Sequence, residues 1–322
     1  MSRNGAPPKH LKRARSADWV AAVILVALVS GIAGCGHSAE GPVYPISRFD
    51  VWKVPAEGRS LPAPRALYSD TSDNVYALDD AGRVLVYAKD GTLTKQWRMP
   101  AWDVGRPEGI WKMLDGRIAV ADTHYHRVIL FNATEDGTVS EVFGREGTGD
   151  GEFVFPVAVT QDPSGYLYVG EYGDKQRIQK FTSDGEYVTQ FGKHGTAEGE
   201  FQRPSAVVWR DGKIYAVDAF NNRIQIFTDT GEFLKVLKLP DDVAPLEFPY
   251  DLTVTRDGTL FVIENKASRL TVLNQDGTIL GRYGGPARGL NGFLNPWALT
   301  VLTDGRILVA DTGNHRLVEL TP

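Results

Sequence analysis

Cysteine is nearly missing from this sequence of 322 residues, in which Cys35 stands alone. A single cysteine excludes an internal disulfide, so packing must hold the fold together. Histidine is scarce too, and beyond residue 34 the chain has only His37, His124, His126, His194 and His315. Because zinc takes three or four convergent ligands, this scarcity leaves few ways to build such a site.

An excess of positive charge is also missing. Residues 1–34 hold five basic residues and one acid, and the remainder has 30 Lys and Arg against 39 Asp and Glu, a net charge of −9. A protein that grips nucleic acid carries the opposite sign. We therefore expect no nucleic-acid partner.

Long apolar runs are absent, apart from WVAAVILVALVSGI at 19–32. This run is short for a membrane span, which takes about 20 residues. It follows a basic start that contains Arg3, Lys12 and Arg15, an order that is typical of an export signal.

The run ends in Ile-Ala-Gly directly before Cys35. This resembles a bacterial lipoprotein signal, in which cleavage precedes the cysteine and its thiol carries lipid. The resemblance implies a signal peptide at 1–34, lipidation at Cys35, a tether at 35–46 and a protein anchored to the outer face of a membrane of the cell envelope. The alternative is an uncleaved membrane anchor with an unused cysteine. Both interpretations place the rest of the chain outside the cytoplasm.

The remaining chain consists of six similar segments, each beginning with a proline. The prolines are Pro64, Pro107, Pro156, Pro204, Pro249 and Pro296. An acid follows 14 or 15 residues later, at Asp79, Asp122, Glu171, Asp218, Glu264 and Asp311. An arginine comes four to six residues after the acid, at Arg83, Arg127, Arg177, Arg223, Arg269 and Arg316.

Each segment has short apolar runs separated by turn signals such as Asp115-Gly116 and Asp184-Gly185. No stretch is typical of a helix. Four strands repeated at 40 to 50 residues predict an all-β fold, a six-bladed β-propeller. The sixth copy lacks its outer strand, and we expect residues 47–55 to complete the last blade and remove an exposed edge.

These motifs resemble the NHL repeat family over residues 47–322, most clearly in GEFVFPVAV, EYGDKQRIQKF and DAFNNRIQIF. The resemblance implies an NHL-type propeller. It says little about function, because propellers host many activities.

In such a blade the acid-to-arginine loops and the long connections between blades share one face, and the short Asp-Gly turns occupy the other. We call them the loop-rich face and the turn face. Binding is expected on the loop-rich face. The acid and arginine recur in every copy, so we interpret them as braces of the scaffold.

Function is expected where the copies differ, above all at the residue after each proline. These residues are Arg65, Glu108, Val157, Ser205, Tyr250 and Trp297. We predict that Tyr250, Trp297, Arg65 and Glu108 form one sector of the channel mouth and bind a polar organic ligand, with the side of Val157 and Ser205 open. The alternative is that they only plug the channel.

The peptidyl-hydroxyglycine amidating lyases are related propellers that carry zinc-binding histidines after the proline, and this sequence has none there. His124 and His126 could form a partial metal site with Asp122, but the simpler interpretation is two surface histidines. We predict no cofactor and leave calcium and zinc open.

The sequence therefore favours an exported, lipid-anchored propeller that binds a protein, peptide or glycan on its loop-rich face. The alternative is a lyase or hydrolase at the channel mouth, with Arg65, Glu108 and Tyr250 as its polar groups.

Overall fold

Residues 40–322, described in a computed structural model, form six antiparallel sheets of four strands each. The only helical turns in this part of the chain are three short 3₁₀ segments, Thr123–Tyr125, Ala219–Asn221 and Thr312–Asn314. The prediction of a six-bladed β-propeller is confirmed.

Each blade consists of four strands that follow one another from the channel outwards. The innermost strands are β2 (Pro64–Ser69), β6 (Gly109–Lys112), β10 (Phe155–Gln161), β14 (Pro204–Arg210), β18 (Pro249–Val254) and β22 (Ala298–Val301). The second strands are β3 (Val75–Asp79), β7 (Ile118–Asp122), β11 (Leu167–Tyr172), β15 (Lys213–Asp218), β19 (Leu260–Glu264) and β23 (Ile307–Asp311). The third strands are β4 (Arg83–Tyr87), β8 (Arg127–Phe131), β12 (Arg177–Phe181), β16 (Arg223–Thr228), β20 (Arg269–Leu273) and β24 (Arg316–Thr321). The outer strands are β5 (Leu93–Arg98), β9 (Val139–Phe143), β13 (Tyr187–Phe191), β17 (Phe233–Val236), β21 (Ile279–Gly284) and, for the sixth blade, β1 (Arg48–Trp52).

The innermost strands form a closed ring around the channel, because each contacts the next and β22 contacts β2. The apolar residues between the blades form six clusters, one at each seam. Tyr76 and Phe131, for example, are fully buried between the first and second blades. Blade-to-blade packing therefore replaces a single central core.

The N-terminal strand closes the ring, as expected from the incomplete sixth copy. Strand β1 pairs antiparallel with β24, from Arg48 opposite Thr321 to Trp52 opposite Leu317. The Trp52 indole is buried and donates a hydrogen bond of 3.0 Å to Glu319. The first and last parts of the propeller thus share one sheet, which removes an exposed edge.

Residues 40–46, the described part of the predicted tether, lie against the fifth blade. The Tyr44 amide donates to the Arg282 carbonyl and the Arg282 amide donates to the Pro42 carbonyl, both at 2.8 Å. Within 40–322 no helix has the length and apolarity to cross a membrane. The predicted signal peptide and Cys35 lie outside the described residues.

The repeated acid and arginine form a buried ion pair in every blade. In the fourth blade Arg223 binds Asp218 at 2.8 Å and also donates to the carbonyls of Thr196, Ala197 and Glu200 in the preceding loop. The pair therefore fixes the connection between blades, which is the bracing role predicted for it.

Candidate functional site

The residue after the proline enters the channel mouth because the innermost strand is irregular there. In four blades the pairing register shifts between the proline and the second residue after it, as between Pro64 and Ala66 and between Pro249 and Asp251. Such bulges redirect a side chain out of the regular alternation. The side chains of Arg65 and Tyr250 enter the channel mouth in this way.

The four residues predicted to form one sector do lie together. Glu108 accepts hydrogen bonds from Arg65 at 3.0 Å and from the Tyr250 hydroxyl at 2.9 Å. The guanidinium carbon of Arg65 lies 4.0 Å from the centroid of the Trp297 ring, and the Trp297 and Tyr250 rings are 4.8 Å apart. All four residues line the mouth of one cavity.

Arg203 completes the group, and the sequence pattern did not reveal it. Its guanidinium donates to Glu108 at 3.2 Å and to the Tyr250 hydroxyl at 2.6 Å, and it lies 4.1 Å from the Tyr172 ring. Arg203 occupies the side of the mouth that was expected to be open beside Val157 and Ser205. That expectation is corrected, because an arginine from the fourth blade reaches the second blade across this space.

Phe248 and Asn295 hold the equivalent position in the next two blades and share the left-handed backbone of Arg203, so only the residue type distinguishes Arg203. It precedes Pro204 and has a φ of 64°, in the left-handed region that non-glycine residues seldom adopt. Its amide donates to the Gln176 side chain at 2.6 Å, which helps to hold this conformation. The useful sequence signal was a long cationic side chain just before the proline.

We refer to Arg65, Glu108, Arg203 and Tyr250 as the mouth network. Their side chains are largely buried, and Glu108 is only 5% exposed. Burial raises the pKa of Tyr250, and the nearby charge of Glu108 adds to this effect. Burial alone would lower the pKa of Arg203, but Tyr250 and Glu108 raise it. The network therefore holds a neutral phenol between a carboxylate and two guanidinium groups.

Aromatic rings extend from the mouth network onto the loop-rich face in two directions. On one side the exposed Phe220 stacks on Phe248 at 5.3 Å, and Phe248 lies 5.7 Å from Tyr250. On the other side Phe155 stacks on Tyr172 at 5.0 Å. The centre of this face is charged and bonded internally, except for the buried Nε atoms of Arg65 and Arg203, and its surroundings are aromatic.

His124 and His126 contact this second aromatic group. Their rings lie 5.8 and 5.7 Å from Phe155. Asp122 is fully buried and paired with Arg127 at 2.8 Å. Within the described part of the chain, no three His, Cys, Asp or Glu side chains are placed to share a metal ion.

Behind the mouth network the channel encloses a cavity of about 1010 Å³. It is lined by the innermost strands, extends to the turns at Thr71, Leu114, Pro163 and Arg256 on the opposite face, and continues outwards along the fifth blade to Phe261 and Leu280. The channel is therefore closed at the loop-rich face and open at the turn face.

The fold and the repeats together define the class of the protein: it is a six-bladed β-propeller that carries an NHL repeat. Residues 293–320, in the sixth blade, match the family model of the NHL repeat. The chain is 30% identical over 107 residues to NHL repeat-containing protein 3 of Homo sapiens, a match that covers 30% of this chain and 31% of that protein. The aligned region is thus under a third of the relative's length.

Solved structures of similar fold come from proteins with different roles. A streptogramin B lyase aligns with a TM-score of 0.58 and 21% identity, over 80% of this chain and 78% of its own. Virginiamycin B lyase from Staphylococcus aureus aligns at 0.60 and 14%, over 85% and 99%. A chain of the nidogen/laminin complex aligns at 0.58 and 19%, over 74% and 84%. At these identities the likeness concerns the fold alone.

Proposed function

We propose that this protein is a binding module that holds a partner protein or peptide on its loop-rich face. The observation that carries the proposal is a set of exposed apolar side chains on the loops of the loop-rich face. These are Leu61, Trp102, Val104, Phe220 and Leu290, with exposed fractions between 40% and 69%. Exposed apolar groups around a rigid centre are typical of protein interfaces, and a glycan is the less suitable occupant.

The mouth network serves this surface as a support. Both oxygens of Glu108 already have partners, so a ligand would have to break these bonds to reach the carboxylate. Aromatic side chains held in place lose little conformational freedom on binding, which favours them as anchors. The pair formed by Phe220 and Phe248 is therefore the central anchor of the proposed interface.

The lyase or hydrolase alternative has weaker support. Its candidate groups are Arg65, Glu108 and Tyr250, and Glu108 is bonded to both of the others. Because the pKa of Tyr250 is raised by burial, its phenol stays protonated near neutral pH and is a poor general base. The two lyases share the fold with this chain, as does the chain from the nidogen/laminin complex.

Site-specific photo-crosslinking tests the interface. A photoreactive phenylalanine analogue at Phe220 should capture a discrete partner in cells, whereas the same group at Leu234, an exposed residue of an outer strand, should not. The purified partner should bind the wild-type protein and lose about tenfold or more in affinity with Phe220→Ala. Equal capture at both positions, or unchanged affinity, would contradict the proposal.

We further propose that the protein is exported and anchored by lipid on Cys35. The support is the basic start, the apolar run and the Ile-Ala-Gly sequence before that residue. Substitution Cys35→Ser should release the protein from the membrane fraction, and metabolic labelling with a fatty acid should mark only the wild-type chain. Unlabelled wild-type protein that stays in the membrane fraction would indicate the uncleaved anchor instead.

A further inference from the structure

We propose that the channel behind the mouth network binds a small organic cation, an amine on an apolar skeleton, by means of Asp251 and the aromatic side chains that line the same cavity on the first, second and fourth blades. The ligand would enter from the turn face. This site is separate from the loop-rich face, so its test does not depend on the proposed protein interface.

The shape of the channel sets where such a ligand can enter. Tyr250 and Glu108 belong to the fifth and second blades, which face each other across a ring of six, so their hydrogen bond crosses the axis. At the other end the rim consists of turn residues, and Leu114 there is 71% exposed. A cavity of about 1010 Å³ with one open end is large enough for a small organic molecule.

Asp251 departs from its equivalents in the other blades. The second residue after the proline is otherwise alanine or glycine, at Ala66, Gly109, Ala158, Ala206 and Ala298. Space is tight there, since a Cβ on Gly109 would lie 2.6 Å from the Val157 carbonyl oxygen. Only the fifth blade places a carboxylate at this level, and Asp251 lines the cavity.

The carboxylate of Asp251 is bonded but has no cation beside it. It accepts hydrogen bonds from the Leu299 amide at 2.9 Å and from its neighbour Leu252 at 2.8 Å. Burial raises its pKa to about 7, and these two amides lower it only in part. An ammonium group would supply the missing positive charge.

The other carboxylates that line this cavity behind the mouth network are already used. Asp70 binds Lys112 and Asn74. Asp162 accepts from Tyr168, Asp257 from Thr255 and Asp304 from Arg306. Asp257 also lacks a cationic partner among the described residues, but it is exposed at the turn face, so Asp251 is the acid within the channel that has none.

Aromatic side chains of other blades line the same cavity. The rings of Tyr68 and Trp111 are 4.4 Å apart on the first and second blades, and Trp209 lines the cavity from the fourth. The faces of such rings attract cations.

The charges of the lining are nearly balanced, because Asp162 and Asp304 pair with Lys180 and Arg306 just outside it, and Asp251 is left without a cationic partner in the described part of the chain. Behind the mouth network the lining includes five carboxylates and three cationic side chains. The carboxylates are Asp70, Asp162, Asp251, Asp257 and Asp304, and the cations are Lys112, Arg210 and Arg256. Arg210 donates to the Val254 carbonyl at 2.8 Å and is the group that an anionic ligand would use instead.

Three probes with one skeleton test the sign of the ligand charge: phenethylamine, 2-phenylethanol and phenylacetate. Isothermal titration of the folded propeller at pH 8 should give saturable binding of phenethylamine, at least about tenfold weaker binding of 2-phenylethanol, and no binding of phenylacetate. The affinity for phenethylamine should fall between pH 8 and pH 6, as Asp251 takes up a proton.

Matched variants locate the site. Asp251→Asn should weaken phenethylamine binding by about tenfold or more, and Asp251→Ala, which installs the residue of four other blades, should do the same. Arg210→Gln and, on the loop-rich face, Phe220→Ala should not weaken it. Thermal unfolding of each variant shows whether it folds. Wild-type affinity in both Asp251 variants, tighter binding of phenylacetate, or no saturable binding of phenethylamine would overturn the proposal.

Discussion

The hydroxyl of Tyr250 donates a hydrogen bond of 2.9 Å to Glu108, although 142 residues separate them along the chain. The two side chains come from opposite blades, so the bond spans the axis of the ring. Arg203 strengthens the connection, because it binds both groups. The network therefore holds the blades together across the channel as well as at their seams.

Removal of this phenol should destabilise the whole ring. Tyr250→Phe deletes the bonds to Glu108 and Arg203 and leaves a buried ion pair with fewer partners, which should cost about 1 to 3 kcal/mol in the free energy of unfolding. Denaturation in urea measures this. Tyr166→Phe, on an exposed tyrosine of the turn face, is the control and should have almost no effect. Equal stability of Tyr250→Phe and wild type would show that the network carries no net stabilisation.

The braces on the loop-rich face should differ in strength from blade to blade. Arg223 binds Asp218 and three loop carbonyls, whereas Arg127 binds Asp122 through one nitrogen and has a second, Nη2, that is buried without a partner. We expect Arg223→Ala to cost about 3 to 5 kcal/mol, since it removes the cationic partner of Asp218 and the donors to three loop carbonyls, and Arg127→Ala to cost less, since Arg127 binds no loop carbonyl within residues 40–322. Guanidinium denaturation of both variants gives the comparison, and the reverse order would refute this account of the braces.

The stability of the protein should depend on pH through Asp251. Its pKa is about 7 in the folded state against 3.8 for the ordinary group, so the folded state holds this proton more tightly than the unfolded state. The resulting stabilisation is fully present below pH 3.8 and is lost as pH rises through 7. Relative to wild type, Asp251→Asn should therefore gain roughly 2 to 4 kcal/mol between pH 4 and pH 8. Urea denaturation at both pH values measures the change, and a constant difference would contradict it.

Closure by the N-terminal strand should be needed for stability. A chain that begins at residue 56 lacks β1, exposes the edge of β24 and leaves Glu319 without the Trp52 indole. Because burial of a tryptophan alone is worth about 3 to 5 kcal/mol, this chain should melt at a lower temperature than one that begins at residue 40. A synthetic peptide of residues 46–56 should restore part of the loss. An unchanged melting temperature would show that the sixth blade is stable with three strands.

The repeat made most of the fold predictable. The distance from Pro204 to Asp218 and Arg223 fixes two strands and the loop between them, and similar distances recur in every blade. The missing strand after Leu320 pointed to the N-terminal residues for the same reason, because an open edge in a ring demands a partner.

The partners of the candidate site could be predicted only in part. Equivalent positions placed Arg65, Glu108, Tyr250 and Trp297 at one mouth, but residue types do not say whether such groups await a ligand or bind one another. In the structure these groups bind one another and Arg203, whose contacts could not be read from its repeat position, because Arg106 at the equivalent position binds loop carbonyls instead. Asp251 is an acid among small residues at its repeat position, yet its significance depends on the closed end of the channel.

The hydrogen bond between Glu108 and Tyr250 lies between the loop-rich face and the cavity behind the mouth network. A partner seated over Phe220 and an amine held by Asp251 would have no steric overlap, so they could be present at the same time. Any effect of one ligand on the affinity for the other would have to pass through the side chains of the mouth network.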